Sequence, residues 1–324
     1  MKILVTGGAG YIGSHACLKL KDGGHEPLVY DNLVYGHLES ALGWEVVKGD
    51  LADSDKLREV FARHEFDAVM HFAAYAYVGE SVENPQKYFE NNVVKGLNLL
   101  NIMNEFGVKK LIFSSTCATY GEPVTDYIDE SHPQNPINPY GESKLFFEKI
   151  INRYSEAYGL KAISLRYFNA AGADPEGRIG ESHDPETHLI PLVLKTAKGE
   201  RESISIYGGD YDTPDGTCIR DYIHVLDLAD AHLLALNKLD EIEGNRFYNL
   251  GNGRGFSVKE VISCAEKITG VKVRTEITTR REGDPARLVA GAGLARKELG
   301  WEPEYGELEK IIESAWNWER SKRF

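Results

Sequence analysis

The chain has 324 residues, of which 42% are hydrophobic and 27% are charged, and these values are typical of a globular protein. The length predicts two domains or one large α/β unit, with enough chain to bury a sizeable core. The 37 basic and 50 acidic side chains give a net charge of −13. This balance argues against a general nucleic-acid binder, because phosphate contacts require a basic face.

Cysteine spacing and hydropathy narrow the class of protein further. The four cysteines, at positions 17, 117, 218 and 264, form no C-x-x-C pair, and the ten histidines show no paired metal-ligand spacing. We therefore expect no disulfide scaffold and no metal, but reduced thiols in a cytoplasmic protein. The N-terminus lacks a signal-peptide pattern, and no apolar run of about 18 residues indicates a membrane span.

Short apolar runs and amphipathic stretches alternate through the first half of the chain. The predicted strands cover residues 2–6, 27–30, 45–48, 67–72, 110–113 and 162–165. The predicted helices cover residues 11–21, 53–64, 85–106 and 140–158. This alternation predicts an α/β fold in which a parallel sheet is covered by helices on both faces.

The regular alternation of predicted strands and helices ends after Arg166. Residues 170–189 are rich in Gly, Pro and charged residues and predict a loop. Further helices are predicted over 191–198, 226–239, 258–269 and 308–320, and strands over 204–207 and 247–250. The last of these strands could return to the large sheet. The second half therefore predicts a smaller mixed α/β domain that exchanges segments with the first.

Glycines concentrate directly after the first predicted strand. Gly7, Gly10 and Gly13 form a G-x-x-G-x-x-G pattern at the point where the first helix begins. Glycine permits a tight turn and a close approach of the backbone to a pyrophosphate, and the helix N-terminus favours the anion. A glycine pattern alone is weak evidence, but its place between a strand and a helix predicts a Rossmann-type, doubly wound sheet that binds a dinucleotide.

Asp31 ends the second predicted strand, 18 residues beyond Gly13. A carboxylate at that place can accept hydrogen bonds from the adenosine ribose and would repel a 2′-phosphate. The neighbouring Asn32-Leu33 pair offers no arginine for such a phosphate. We therefore predict NAD and not NADP, with Asp50 at the next strand end facing the adenine. The alternative is that these are solvated strand-end aspartates.

Tyr140 and Lys144 form a Y-x-x-x-K pair at the start of a predicted helix, where the spacing places both side chains on one face. A tyrosine with its usual pKa near 10 needs a shift of about three units, or roughly 4 kcal/mol, to act as a base at pH 7. A cation about 4 Å away could supply that energy. We therefore predict that Lys144, helped by an oxidised nicotinamide, lowers the pKa of Tyr140. The alternative is a packing tyrosine beside a surface lysine.

Hydroxyl side chains follow the fifth predicted strand. Ser115 and Thr116 lie at the carboxyl edge of the sheet, where open α/β sheets bind their ligands. A hydroxyl there could bridge a substrate and Tyr140. It could instead cap a turn or a helix.

With these motifs the chain resembles the extended short-chain dehydrogenase/reductase family and, within it, the UDP-glucose 4-epimerases. The resemblance covers essentially the whole chain. The motifs that carry it include TGGAGYIGSH (6–15), SSTCATYG (114–121), NPYGESK (138–144), LRYFNAAGA (165–173), DGTCIRDYIHV (215–225) and RREGDPA (280–286). The stretch around Arg220 is the most specific, since it belongs to the sugar-nucleotide end of the molecule.

The resemblance implies a reversible inversion at C4 of a UDP-sugar, from UDP-galactose to UDP-glucose, through a transient 4-keto sugar and tightly bound NAD. Tyr140 would take the C4 hydroxyl proton, with Thr116 and Lys144 completing the catalytic set. The implied cofactor positions are Gly7, Gly10, Tyr11, Ile12, Gly13, Asp31, Asn32, Asp50, Leu51, Phe72, Ala73, Ala74, Asn91, Lys144 and Tyr167. The implied substrate positions are Thr116, Tyr140, Asn169, His188, Leu189, Tyr207, Arg220, Arg281, Asp284 and Leu288.

Three positions depart from the family pattern. Ala76 stands where some epimerases have a cofactor-contacting lysine, and His188 stands where an asparagine is common beside the phosphates. Leu288 aligns with a residue that gates the sugar pocket, and leucine leaves room for an N-acetyl sugar. Besides UDP-glucose, the alternatives are therefore UDP-N-acetylglucosamine and, from the DGTCIRDY stretch, UDP-arabinose or UDP-xylose.

Two other classes compete with an epimerase. A sugar-nucleotide dehydratase needs an acid/base pair after Thr116, where this chain has Cys117-Ala118, and a reductase would turn NAD over. A non-catalytic NAD-binding regulator would have lost Tyr140 or Lys144, and both are present.

The predicted organisation is an NAD-binding Rossmann domain over 1–166 and a UDP-sugar-binding domain over 167–324, with a segment near 218–243 returning to the first. By analogy with the family, we expect a homodimer through the helices over 85–106 and 140–158.

Overall fold

A computed structural model describes residues 1–281 and 283–324. The strands, in chain order, are β1 (Lys2–Thr6), β2 (Glu26–Asp31), β3 (Val46–Lys48), β4 (Ala68–His71), β5 (Lys110–Thr116), β6 (Lys161–Tyr167), β7 (Asn169–Ala171), β8 (Ile204–Tyr207), β9 (Ile219–His224), β10 (Asn245–Leu250), β11 (Gly255–Ser257), β12 (Thr275–Thr278) and β13 (Arg287–Leu288).

The α-helices, in chain order, are α1 (Tyr11–Asp22), α2 (Ser54–Arg63), α3 (Val78–Glu83), α4 (Pro85–Phe89), α5 (Gly96–Glu105), α6 (Pro139–Tyr158), α7 (Leu189–Ala197), α8 (Val225–Lys238), α9 (Val258–Thr269), α10 (Gly293–Leu299) and α11 (Leu308–Ser321). Short 3-10 turns cover Leu38–Ala41, Cys117–Thr119 and Leu239–Glu241.

Seven strands form one parallel sheet in the order β10-β6-β5-β4-β1-β2-β3. The order reverses between β1 and β4, where Thr6 pairs in register with His71. Helices α1 and α8 pack against each other on one face, and α2, α5 and α6 cover the other. The predicted fold class, a Rossmann-type doubly wound sheet with a mixed C-terminal part, is confirmed.

The C-terminal part contains two small sheets and its own apolar core. In the mixed sheet, β9 pairs with β7 and β13 in parallel and with β11 antiparallel. The second small sheet consists of β12 and β8, which pair in parallel. Helices α7, α9 and α11 pack together around buried side chains such as Val193, Val261 and Ile311. The chain returns to the large sheet with α8 and β10, whereas β9 stays in the small sheet.

The predicted helix over 85–106 is not uniform. A π-helical stretch, Glu90–Lys95, lies between α4 and α5. The extra residue per turn rotates the chain, so that Asn91 lines the ligand cleft described below while Asn92 is buried. Asn92 then accepts from the Tyr75 N–H at 2.9 Å and donates to the Tyr75 carbonyl at 3.0 Å. Apolar periodicity cannot predict this local change of pitch.

Several short elements are absent from the sequence prediction. Strand β7 lies in the predicted loop over 170–189, and α3, α10 and β9 lie outside any predicted element. These elements are short, and β9 takes its conformation from pairing with three other strands rather than from its own alternation. No helix in the described residues is long and apolar enough to cross a membrane.

Candidate active site

The carboxyl ends of β1, β4, β5 and β6 border a cleft of about 1300 Å³ between the large sheet and the C-terminal part. All the side chains predicted for the cofactor and for the sugar nucleotide line this cleft. Elements as distant in sequence as Gly7 and Leu288 thus meet at one place. The structure thus brings the predicted cofactor and substrate positions together in one cleft.

The glycine loop fits a pyrophosphate because side chains cannot be accommodated in it. Gly7 has a φ of +74°, and a Cβ on it would lie 2.5 Å from the backbone nitrogen of Ala73. A Cβ on Gly13 would lie 2.2 Å from the carbonyl oxygen of Gly7. The N-cap residue of α1, Gly10, makes no side-chain cap bond. The free N–H groups and dipole of this helix therefore favour an anion.

Two backbone N–H groups fix the position of the Asp31 carboxylate. Its two carboxylate oxygens accept from the Ala9 and Leu33 N–H groups at 3.0 and 2.8 Å, and the residue is 7% exposed. Burial raises the pKa of Asp31, and those backbone bonds oppose the rise. These contacts fix the carboxylate on the wall of the cleft. That position suits a ribose hydroxyl and fits the predicted choice of NAD.

The Asp50 carboxylate, which is predicted to face the adenine, already contacts two side chains of the protein. The Asn32 amide donates to one of its oxygens at 2.8 Å, and Lys95 Nζ lies 3.0 Å from the other. Burial raises the pKa of Asp50, but hydrogen bonds from Ala52, Asn32 and Lys95 outweigh that effect and lower it. The carboxylate therefore orders the Asn32 side chain, which lines the cleft beside it.

Tyr140, Thr116 and Lys144 converge at the ends of β5 and α6. Helix α6 begins after Asn138, whose side chain accepts from the Gly141 N–H at 2.9 Å, with Pro139 at its first position. This start places Tyr140 in the first turn, where its hydroxyl bonds with the Thr116 hydroxyl. Lys144 is buried and donates to the Ser114 carbonyl at 2.8 Å. Of the two hydroxyls predicted to bridge substrate and base, Thr116 lines the cleft, whereas Ser115 donates to Glu148 at 2.6 Å.

The predicted lowering of the Tyr140 pKa relies on an oxidised nicotinamide beside Lys144 and stays a prediction, and the protein's own groups shift this pKa the other way. Burial raises the pKa of Tyr140 to about 12, and the Thr116 hydrogen bond only partly opposes it. Burial also lowers the pKa of Lys144 to about 7, against the attraction of Glu148. Desolvation is the largest cause of both shifts, because burial disfavours the charged form of each group.

The candidate sugar-nucleotide end contains two arginines in different environments. Arg220 forms an ion pair with Asp284 and donates to the Pro285 carbonyl at 2.8 Å. Arg281 lies over the ring of Tyr207, 3.9 Å from its centroid. Asn169 donates to the Asp221 carbonyl at 2.9 Å. A diphosphate would therefore compete with Asp284 for Arg220.

The gate position and the start of α7 complete this end of the cleft. Leu288 pairs with Arg220 in register across β13 and β9, so the apolar side chain lies beside the arginine. His188 is the N-cap residue of α7 and Leu189 its first residue, and both line the cleft.

A tyrosine cluster at the mouth of the cleft escaped the sequence analysis. The ring of Tyr35 lies 5.5 Å from that of Tyr75 and 5.4 Å from that of Tyr77, both edge to face. Lys87 Nζ lies 4.4 Å from the centroid of Tyr75 and donates to Glu80 at 2.6 Å. The sequence signal was their place after strands, since Tyr35 follows β2 and Tyr75 and Tyr77 follow β4, at the edge where such sheets bind ligands. The cluster flanks Ala76, where some epimerases have a lysine.

The predicted loop over 170–189 brings together two acids and two histidines. Glu181, His183, Glu186 and His188 each offer one ligand atom, and these atoms lie within 4.8 Å of one another. The neighbouring carboxylates raise the pKa of His183 to about 9 and that of His188 to about 10, although burial opposes both shifts. The search for paired ligand spacings missed this cluster because its spacing follows no regular element.

The fold and the cleft define the class of protein: a Rossmann-fold chain that binds a dinucleotide where the strand order reverses. A family model described as "NAD dependent epimerase/dehydratase family" matches residues 3–251, and the chain belongs to this family.

Individual relatives agree with this assignment over nearly the whole chain. A UDP-glucose 4-epimerase of Halalkalibacterium halodurans is 54% identical over 320 residues, which cover 99% of this chain and 96% of the relative. The structure of UDP-glucose 4-epimerase from Brucella ovis in complex with NAD has 49% identity and a TM-score of 0.95, with 97% of each chain covered. The UDP-Glc/GlcNAc 4-epimerase of Campylobacter jejuni has 45% identity and a TM-score of 0.87, with 99% of each chain covered. The resemblance stated from the motifs and the prediction of NAD as cofactor are confirmed.

Proposed function

We propose that this protein interconverts the C4 epimers of a UDP-sugar, with UDP-galactose and UDP-glucose as its pair of substrates. The observation that carries the proposal is the convergence of Tyr140, Thr116 and Lys144 in the cleft that also contains the glycine loop and Arg220. Relatives with about 50% identity over nearly the whole chain carry the name of this activity. A C4 inversion has no net redox change, so the chain needs one dinucleotide and one sugar nucleotide in the same cleft.

The proposed roles follow from the positions of the side chains. Tyr140 removes the proton of the C4 hydroxyl, and Thr116 orients the tyrosine through the bond between their hydroxyls. Lys144 places positive charge near the chemistry, and burial beside Phe113 keeps it out of water. Hydride acceptance and return at C4 are the chemistry that NAD supplies when bound. The 4-keto sugar then has to present its other face, and Arg220 and Arg281 hold the diphosphate meanwhile.

Because burial raises the pKa of Tyr140, the ionised base needs more positive charge than Lys144 provides. The oxidised nicotinamide carries such a charge. We therefore propose that the tyrosinate forms only when oxidised NAD is bound.

The activity is tested by incubating the purified holoenzyme with UDP-galactose and following the anomeric sugar signals by NMR. We expect an equilibrium mixture with UDP-glucose and no net formation of NADH. A protein that binds NAD but leaves UDP-galactose, UDP-N-acetylgalactosamine and UDP-arabinose unchanged would contradict the proposal. Net accumulation of NADH would favour a dehydrogenase.

We also propose a homodimer formed through the helices over 85–105 and α6. Apolar side chains are exposed on these helices, among them Val94 and Phe146, and the Phe146 ring stacks on Phe89 at 5.9 Å. Sedimentation velocity should give the mass of two chains, and a monomer at micromolar concentration would exclude this interface. The four unpaired cysteines support a cytoplasmic location.

A further inference from the structure

The loop before α7 contains four side chains that the proposed epimerisation does not use together. Glu181, His183, Glu186 and His188 occupy alternate or near-alternate positions along eight residues of chain. Two imidazoles and two carboxylates form a mixed set of ligands that suits zinc and other divalent first-row metals better than calcium or magnesium. We propose that these four side chains form a binding site for one divalent transition-metal ion such as Zn²⁺.

The distances within the cluster support this proposal. Glu181 Oε1 lies 3.0 Å from His183 Nδ1 and 2.8 Å from His188 Nδ1, and Glu186 Oε1 lies 2.9 Å from His188 Nδ1. Ligand atoms around a tetrahedral zinc ion with bonds of about 2.1 Å are about 3.4 Å apart. A small outward movement of flexible side chains would therefore create the site.

Between the side chains, the contacts are made through only two nitrogen atoms, although the Thr187 and His188 backbone N–H groups also donate to Glu186 Oε1 at 2.8 Å each. The same Nδ1 atom of each histidine faces both carboxylates, and one N–H can donate well to only one of them. Within residues 1–281 and 283–324, the two histidines are the only ion-pair partners of Glu181 and Glu186. A cation at the centre would satisfy all four groups at once.

A separate observation comes from the neighbouring tyrosine. The hydroxyl oxygen of Tyr77 is buried and has no hydrogen-bond partner among the residues that the structure describes. Its ring lies 6.1 Å from that of His183. An unpartnered buried hydroxyl beside the cluster is consistent with a bound group that the described side chains themselves do not supply.

The proposed ion would stabilise the loop over 181–188, which forms part of the cleft wall. The loop is already held by Trp318, whose Nε1 donates to the Glu181 carbonyl at 2.8 Å, and by His37, whose Nε2 lies 2.9 Å from the Ser182 carbonyl. A metal would fix the side chains of the same segment and so the start of α7. This role is structural, and it does not depend on the proposed sugar nucleotide.

The test is a zinc titration of chelator-treated protein in competition with a chromophoric indicator, at about neutral pH. We expect one Zn²⁺ per chain and release of protons on binding. His183→Ala and Glu186→Gln should each weaken binding at least tenfold, a loss typical of damage to a metal site. His64→Ala is the matched control, because it removes a partly exposed histidine that lies 3.8 Å from Glu45, and it should bind as the wild type does.

Binding that is absent, or that is equally strong in both site variants, would overturn the proposal and leave the cluster as an internal ion-pair network. If a variant fails to fold, anomalous diffraction at the zinc edge of wild-type crystals decides the question. A peak among the four side chains supports the site. Peaks found only at other positions reject it. Loss of epimerase activity is not part of this readout, so failure of the proposed function remains distinguishable.

Discussion

Tyr140 is the residue on which the proposed chemistry depends most. Its hydroxyl bonds with Thr116, and its burial makes ionisation costly in the absence of added positive charge. A phenyl ring would keep the packing, including the edge-to-face contact with Tyr88 at 6.5 Å, and would lose only the oxygen. A substitution of Tyr140 by phenylalanine can therefore test the role of the hydroxyl in the reaction without disturbing the packing.

We expect Tyr140→Phe to reduce turnover of UDP-galactose by roughly 100-fold or more, since general base catalysis contributes about that much. Binding of NAD, measured by the cofactor content of the purified protein, should be unchanged. Tyr158→Phe is the matched control, because Tyr158 is half-exposed at the other end of α6, and it should keep full activity. Wild-type turnover in Tyr140→Phe would show that another group takes the proton.

Leu288 lines the cleft beside Arg220, and we propose that it sets the width of the sugar pocket. A tyrosine at this position would fill the space that an N-acetyl group needs. We expect Leu288→Tyr to lower kcat/KM for UDP-N-acetylglucosamine at least tenfold more than for UDP-glucose, through steric exclusion of the larger sugar. Leu288→Met keeps the volume and should leave the ratio unchanged. Equal losses on both substrates would mean that Leu288 does not select between them.

The glycine loop and the start of α1 together form the surface that fits a pyrophosphate. The loop turns at Gly7, and the helix begins so close to it that Gly13 touches the Gly7 carbonyl. The N–H groups of the first helical turn are therefore available because nothing on the protein caps them.

Gly13→Ala tests this close approach. The added Cβ would lie 2.2 Å from the Gly7 oxygen, and only a backbone shift could relieve that overlap. We expect the free energy of unfolding to fall by about 2 kcal/mol, the usual range for overpacking, and NAD affinity to fall at least tenfold. Urea unfolding and calorimetric titration measure the two effects. Gly10→Ala, whose Cβ would lie 3.3 Å from the same oxygen, should show a much smaller loss of stability; a similar loss would refute the steric argument.

What the sequence could predict of the site depended on local spacing. Gly7, Gly10 and Gly13, and likewise Tyr140 and Lys144, lie within one turn or one helix, and their geometry follows from chain connectivity. The cluster formed by Glu181, His183, Glu186 and His188 depends on the irregular course of one loop, and the tyrosines around Ala76 depend on how two loops meet in space. Apolar periodicity carries no information on either. The desolvation that raises the Tyr140 pKa likewise depends on tertiary packing and cannot be obtained from the spacing of Tyr140 and Lys144.

The whole molecule buries several histidines that do not take part in the proposed reaction. Burial lowers the pKa of four of them: to about 4 for His15 and His232, and to about 3 for His71 and His224. In the unfolded chain these groups take up protons below pH 6.5, so the folded state loses stability as the pH falls. Burial raises the pKa of Asp221 and Asp227 to about 6, which opposes this loss with fewer groups.

His232→Gln isolates one of these contributions. His232 is fully buried in α8, its Nδ1 lies 2.8 Å from the Leu228 carbonyl, and its ring packs on Phe72 at 4.8 Å. Between its folded and unfolded pKa values, one extra proton binds to the unfolded chain, which corresponds to about 1.4 kcal/mol per pH unit. We expect the free energy of unfolding, obtained from urea titrations between about pH 6 and pH 5, to fall less steeply in the variant by this amount. An unchanged slope would mean that His232 does not contribute to acid sensitivity.

The return of the chain to the large sheet through β10 has a consequence for any attempt to divide the protein. Residues 1–166 alone would leave β6 as an open edge, because all six residues of β10 pair with it, and would strip α8 from α1. An unprotected edge strand of this kind invites intermolecular pairing and aggregation. The dinucleotide half is therefore not an autonomous folding unit. Truncations and fusions that treat it as one should yield insoluble material, whereas insertions at surface loops should be tolerated.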